Sequence, residues 1–264
     1  MENLKEQKKQ FDKLILGSVN NNHIIKNTVF YDNSYKKQLC AELKKRHLFE
    51  KYSKRELQEV TKGSGLIKMC SVASSSRLCF IYFAEDNNLE MEQSLNTGTR
   101  GNAQLDAAKD NLFYECKCHE IFDNHDTVNN HLRLAYKRNL QKYFGINYQE
   151  KNENYCKLTL KDFGIENDES IYKLHFDMKQ FLCHLFGIAN NGGGTLQYIF
   201  FTPKKELIKS NQFCKDIYKA LKEEIESIWR SESIRKMCQD NNIKLPKPLM
   251  VEVSTINDIV FQNI

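Results

Sequence analysis

Apolar and polar positions along this chain follow two different periods, and each change of period marks an element. Residues 1–17 carry Phe11, Leu14, Ile15 and Leu16 as a partial helical stripe, ended by an Asn-rich turn at 18–22. Residues 35–52 repeat the pattern, with Leu39, Leu43 and Leu48 roughly in phase. Ser53 and Glu56 have capping-box spacing for a short third helix, and the glycines of 62–65 stop it. Residues 74–83 are an apolar run opened by three serines, and periodicity alone leaves strand and helix open there. Residues 89–95 alternate, with Leu89, Met91 and Leu95 on one face and Glu90, Glu92 and Ser94 on the other, before a turn at 96–99. Two further strands, 102–108 and 112–118, are joined by turn-type Lys109, Asp110 and Asn111. Helical spacing returns with Leu132, Tyr136, Leu140, Tyr143 and Phe144 and ends at Gly145.

A polar connection over 146–174, with a short strand at 156–160, leads to a helix over 176–189. Met178, Phe181, Leu182, Leu185 and Phe186 form its stripe, Cys183 and His184 sit within it, and Gln180 is a candidate for facing a site. Residues 190–194 are a helix stop, because a phosphate-binding glycine loop follows a strand and feeds a helix, the reverse of the order here. Residues 195–201 are strongly strand-like. A long amphipathic helix over 211–239, a break at Pro246 and Pro248, and a strand over 250–254 complete the pattern.

Composition narrows the class. The 264 residues are 41% hydrophobic and 28% charged, enough apolar content for a packed core in a soluble chain. A net charge of +5 is compatible with nucleic acid without being diagnostic. The nine cysteines contain no C-x-x-C pair, which argues against a disulfide framework and a zinc ribbon and for a reduced, cytoplasmic setting. Cys116, Cys118, His119 and His125 cluster in sequence, but alternation sends the two thiols to one face and His119 to the other, a poor zinc geometry. The longest apolar run, 78–84, is far too short to span a bilayer, so no membrane partner is expected.

The chemistry concentrates in residues 101–121. Alternation puts Glu115 and Lys117 on one face of an otherwise apolar strand, with Cys116 on the other. Charges in such a strand are costly to bury and need a reason. Asp106 joins that face only if it pairs opposite Phe113 or Glu115, which requires a two- or four-residue connection. Two carboxylates with a lysine beside them suit phosphodiester hydrolysis assisted by a divalent cation.

Asp106, eight residues, then Glu115-Cys116-Lys117 resembles the D…(D/E)-x-K signature of the PD-(D/E)XK nucleases, with Leu105 where the proline of the name would stand. The resemblance, extended by element order to roughly 74–203, implies an α/β restriction-endonuclease-like fold with a mixed central β-sheet flanked by α-helices. It favours helix for 74–83 and implies a nuclease core over 66–203, behind a helical lead-in over 1–65 and before a C-terminal helix and strand over 204–264. It further implies Mg²⁺ or Mn²⁺ held by Asp106, Glu115 and the carbonyl of Cys116, with Lys117 positioning the attacking water. Glu92 is the candidate for an additional acid, with Glu90 and Glu85 behind it. His119 continues the Glu115–Lys117 face and is a candidate for touching substrate. Arg133, Lys137, Arg138 and Lys142, on the polar face of the following helix, are candidates for phosphate contact. The implied activity is cleavage of DNA, by analogy in restriction or defence, with a homodimer supplying two centres for a double-strand cut. RNA as substrate, a non-catalytic nucleic-acid-binding protein on the same fold, and an unrelated α+β interaction protein are the alternatives. Register separates the last of these, and metal binding the second.

Overall fold

The computed structural model describes residues 2–19, 23–25, 29–122, 125–148 and 154–256. Its centre is a mixed sheet of β1 (Glu90–Thr99), β2 (Gly101–Lys109), β3 (Leu112–Lys117), β4 (Gly194–Thr202), β5 (Ile243–Lys244) and β6 (Leu249–Glu252). The first three strands form an antiparallel meander, β4 runs parallel to β3, and β5 and β6 both pair in parallel with β4. Tight turns explain the meander. Only Arg100 separates β1 from β2, and only Asp110 and Asn111 separate β2 from β3. Asp110 takes φ 52, a left-handed value that hairpin turns use and aspartate tolerates. The parallel β3–β4 pair needs a long crossover, which residues 118–193 supply.

Helices α1 (Glu2–Ser18), α2 (Asn33–Lys45), α3 (Phe49–Ser53) and α4 (Ser75–Tyr82) precede the sheet, and α5 (Lys137–Phe144) and α6 (Met178–Asn190) lie in the crossover. Helices α7 (Lys205–Ser210), α8 (Gln212–Arg230) and α9 (Glu232–Asp240) follow β4. The α/β class, the mixed sheet and the flanking helices expected from the sequence are thus present. The serine cap decides the ambiguous run at 74–83 for helix, since Ser74 Oγ accepts the Arg77 amide at 3.2 Å. Helix α6 covers one face of the sheet at close range. A Cβ on Gly187 would lie 2.6 Å from the Cβ of Ala103 and 3.1 Å from that of Leu95.

Several elements differ from expectation for identifiable reasons. The helix expected over 35–52 is broken into α2 and α3, with His47 between them at φ 57. Ser53 Oγ donates back to the Glu50 carbonyl, 3.1 Å, and residues 54–65 form turns in place of a third helix. Strand β1 runs on to Thr99, through the turn expected at 96–99. The helix expected from Leu132 begins only at Lys137, after a 3-10 turn at Leu134–Tyr136. At 156–160 there is an isolated bridge and a 3-10 turn, Leu160–Phe163, capped by Thr159 and Asp162. The connection at 146–174 is less polar in effect than in sequence, because Leu158, Phe163, Ile171 and Tyr172 are buried. The long C-terminal helix divides at Ser231, whose Oγ accepts the Ile234 amide and starts α9. The turn expected at 18–22 lies partly outside the described residues.

One apolar cluster runs from Phe11 on α1 through Phe181 and Tyr198 to Val253. Phe11 packs on Phe122 with ring centroids 4.5 Å apart, and Ser18 Oγ accepts the Lys204 amide at 2.8 Å. Helix α1 therefore packs against the 3-10 turn that follows β3 and against the start of the segment after β4.

Candidate active site

Strands β2 and β3 are paired only from Lys109–Leu112 to Ala107–Tyr114. The two-residue turn gives one of the registers that bring Asp106 across from Glu115. Where the ladder stops, the Asp106 carboxylate takes the place of the next main-chain acceptor: Oδ2 accepts the Cys116 amide at 2.6 Å. Asp106 thus sits in a fork between the two strands.

The alternation of β1 and β2 changes phase at this level. Tyr114, opposite Ala107, packs on Phe83 beside α4, and Met91 lines a groove with Phe80 and Phe83. Leu95 and Ala103, of the same parity as Met91 and Ala107, instead lie against Gly187 of α6. Glu92, a non-glycine residue at φ 55, marks the change. This corrects the expectation that Leu89, Met91 and Leu95 share a face. Glu92 lies across from Asp106, between the Met91–Ala107 and Gln93–Leu105 pairs. Glu90 and Glu85 are exposed and do not join them.

Glu115 is buried, at 2% exposure, and its two oxygens differ. Oε1 accepts from Lys117 Nζ at 2.5 Å. Oε2 makes no hydrogen bond, and His184 Nε2 lies 3.5 Å from it. Lys117 Nζ also donates to Gln180 Oε1, 2.7 Å, so α6 fixes the ammonium as well. His184 sits one helical turn further on, with Nε2 2.9 Å from the Gln104 carbonyl and Nδ1 3.1 Å from the Tyr198 hydroxyl. Burial, then the neighbouring Lys117, pushes the His184 pKa down to about 3 and keeps the ring neutral.

The carboxylates hold protons unusually well. Burial raises Glu115 to about 7, against the opposing pull of Lys117. Burial, then repulsion from Asp106, raises Glu92 to about 7. Burial, then repulsion from Glu115, lifts Asp106 well above the carboxylate range. For Lys117 burial opposes the charge, but Glu115, Glu120 and Asp106 together raise its pKa.

Glu120 has no counterpart in the sequence expectations. It follows the strand end in a 3-10 turn, where Oε2 accepts the Cys118 amide at 2.8 Å and Oε1 accepts from Ser75. Burial alone would raise its pKa, yet Lys117, His119 and these hydrogen bonds lower it. Its spacing of three from Lys117 was the available signal, but a residue beyond a strand end has no predictable face. His119 starts the same turn and does not line the cavity described next.

A cavity of about 960 Å³ opens beside Lys117, Glu120, Gln180 and His184. Of the expected basic set, Arg133 lines it, whereas Lys137, Arg138 and Lys142 do not. Helix α5 is too short to carry all four on one face, and Lys142 Nζ is taken by the Tyr143 hydroxyl at 2.9 Å. Besides Lys117, the cations facing the cavity are instead Lys8, Arg55, Arg100, Arg133 and Lys179.

The donors suit a hard cation in kind: two carboxylates, one with an unpartnered buried oxygen, and the Cys116 carbonyl, with water to complete the shell. Among the described residues no three His, Cys, Asp or Glu side chains form a metal-holding group by themselves, and Cys116, Cys118, His119 and His125 form no zinc site. The thiols of Cys116 and Cys118 are buried. No helix among the described residues is long and apolar enough to cross a membrane. No family model, curated protein or solved structure matches this chain.

Proposed function

We propose that this chain is a metal-dependent phosphodiesterase that cleaves DNA. One observation carries the reading: a buried lysine is held among carboxylates of raised proton affinity at the edge of a cavity lined by five further cations. When ionised, Asp106, Glu115 and Glu92 exceed the one ammonium beside them, and a divalent cation is the usual remedy for such an excess. Asp106, Glu115 and the Cys116 carbonyl are the groups that would hold Mg²⁺ or Mn²⁺. When bound, such an ion polarises a phosphate and acidifies water. Lys117, fixed between Glu115 Oε1 and Gln180 Oε1, orients the attacking water and offsets charge developing on the phosphate. Neutral His184 borders Glu115 without adding a competing cation. Arg100, Arg133 and Lys179 bind the flanking phosphates. A restriction or defence role, and pairing into a homodimer, extend this reading by analogy.

The test is incubation of mixed plasmid and linear DNA with the protein in Mg²⁺, Mn²⁺ or EDTA. Cutting with either metal and none in EDTA is expected. Persistence of cutting in EDTA overturns the proposal, as does intact DNA combined with no Mn²⁺ binding by calorimetry. The closure of Glu115 Oε1 on Lys117 favours a second reading, a nucleic-acid-binding protein without catalysis. It predicts retained, uncut DNA and no metal uptake.

A further inference from the structure

The cavity is equipped for more than phosphates. Besides Lys117, its five cations come from five separate segments: Lys8 from α1, Arg55 from the turns after α3, Arg100 from the β1–β2 turn, Arg133 from before α5, and Lys179 from α6. An open groove for a long duplex is built differently, with charge spread along one accessible face. About 960 Å³ lies at the upper end of small-molecule pockets, a volume for a few nucleotides and not for a length of double helix.

Amide side chains share the cavity with these cations. Asn102, Gln104, Asn129 and Asn130 line the same cavity. Asn102 and Gln104 donate to Ser94 Oγ, at 3.0 and 2.8 Å, which orients their amides. Amides pair with base edges, and the Watson–Crick edges are available only where a strand is unpaired. His131 also lines the cavity and is held as a flat plate, stacked on Tyr172 with ring centroids 3.9 Å apart and an interplanar angle of 18°. Both of its ring nitrogens are buried and make no hydrogen bond among the described residues, although Asp126 Oδ1 lies 3.5 Å from Nε2.

We propose that the cavity of cations, amides and His131 takes unpaired nucleotides, a single-stranded end or flap, in preference to continuous duplex. The inference rests on the phosphodiesterase reading, names the substrate of that same site, and requires only one centre per cut. In EDTA, anisotropy would be measured for a labelled single strand, the blunt duplex of the same sequence, and that duplex carrying a single-stranded flap. The single strand and the flap should bind about tenfold tighter than the blunt duplex, the worth of one stacked base. His131→Ala, and separately the exposed Arg133→Ala, should weaken single-strand binding, with folding checked by melting. A ribo-oligonucleotide of the same sequence tells which sugar is preferred, and tight binding of either unpaired strand supports the inference. Equal or tighter binding of blunt duplex overturns it. In Mg²⁺, faster cutting of strand and flap than of closed circular duplex supports it. Equal cutting of the closed circle overturns it and leaves the phosphodiesterase reading intact. Selective binding of unpaired strands with neither cutting in Mg²⁺ or Mn²⁺ nor Mn²⁺ binding by calorimetry upholds the assignment of the ligand and overturns that reading.

Discussion

Arg77 on α4 and Lys117 at the end of β3 are both largely buried, and their company differs in kind. Arg77 donates to the Ser71 and Val72 carbonyls and to the Tyr35 hydroxyl, and lies 4.7 Å over the Tyr31 ring. Those neutral groups satisfy a guanidinium fork and tie the N-terminal region to the core. Lys117 instead has Glu115, Glu120 and Asp106 around it, one amide from α6, and a cavity beyond. A cation among neutral acceptors is explained by the fold it holds. A cation among three carboxylates, two of which, Glu115 and Asp106, hold protons more tightly than usual, is explained by a reaction or a ligand.

That contrast can be broken by experiment. The largest stability effect should come from Arg77→Met, which leaves the Val72 carbonyl without its donor at about 1–3 kcal/mol and removes the ring contact with Tyr31 and the hydrogen bond to Tyr35. Urea unfolding of Lys117→Met should show a far smaller loss, because Glu115, already near 7, can take up a proton when the ammonium goes. Equal losses in the two variants would make Lys117 a structural cation like Arg77.

Proton linkage separates the regions next. Glu115 and Glu92 are raised from 4.5 to about 7. Across that window the folded state binds more protons than the unfolded chain, so their contribution to stability falls as pH rises. Melting in EDTA should therefore show a declining midpoint through this window. Mn²⁺ should restore it above pH 7, and Glu115→Gln should flatten both responses. An Mn²⁺-insensitive midpoint would remove the cation from the proposal.

Smaller effects sharpen the same comparison. Gly187→Ala should cost about 1–3 kcal/mol by forcing α6 away from Leu95 and Ala103. Because α6 carries Gln180 and His184, cutting should fall beyond what the lost stability explains. Ser74→Ala, which uncaps the helix bearing Arg77, should cost about 1 kcal/mol in a urea titration and leave the chemistry alone.

Much of the fold was legible because its signals are local. The hairpin turn at Asp110–Asn111, the helix stop before β4, the capping serine of α4 and the stripe of α6 each belong to a few neighbouring residues. Asp106, Glu115 and Lys117 follow from period-2 alternation once the turn length is known. The illegible parts depend on tertiary packing. Nothing in the identity of Glu92 announces φ 55, so the change of face in β1 and β2 was hidden. His47 breaks its helix in the same way. Glu120 reaches Lys117 from beyond β3, where no strand period assigns a face, whereas Gln180, a candidate on α6, does meet Lys117. The cations of the cavity besides Lys117 come from five segments, whereas helical spacing could group only Arg133 with Lys137, Arg138 and Lys142.

The most direct measurement is single-turnover DNA cleavage in Mg²⁺ by the wild type and Lys117→Met, with melting of both recorded on the same samples. A fall in rate of about 10²–10³-fold in a variant that still melts cooperatively is predicted. Undiminished cutting by a folded Lys117→Met protein would contradict the assignment of this site.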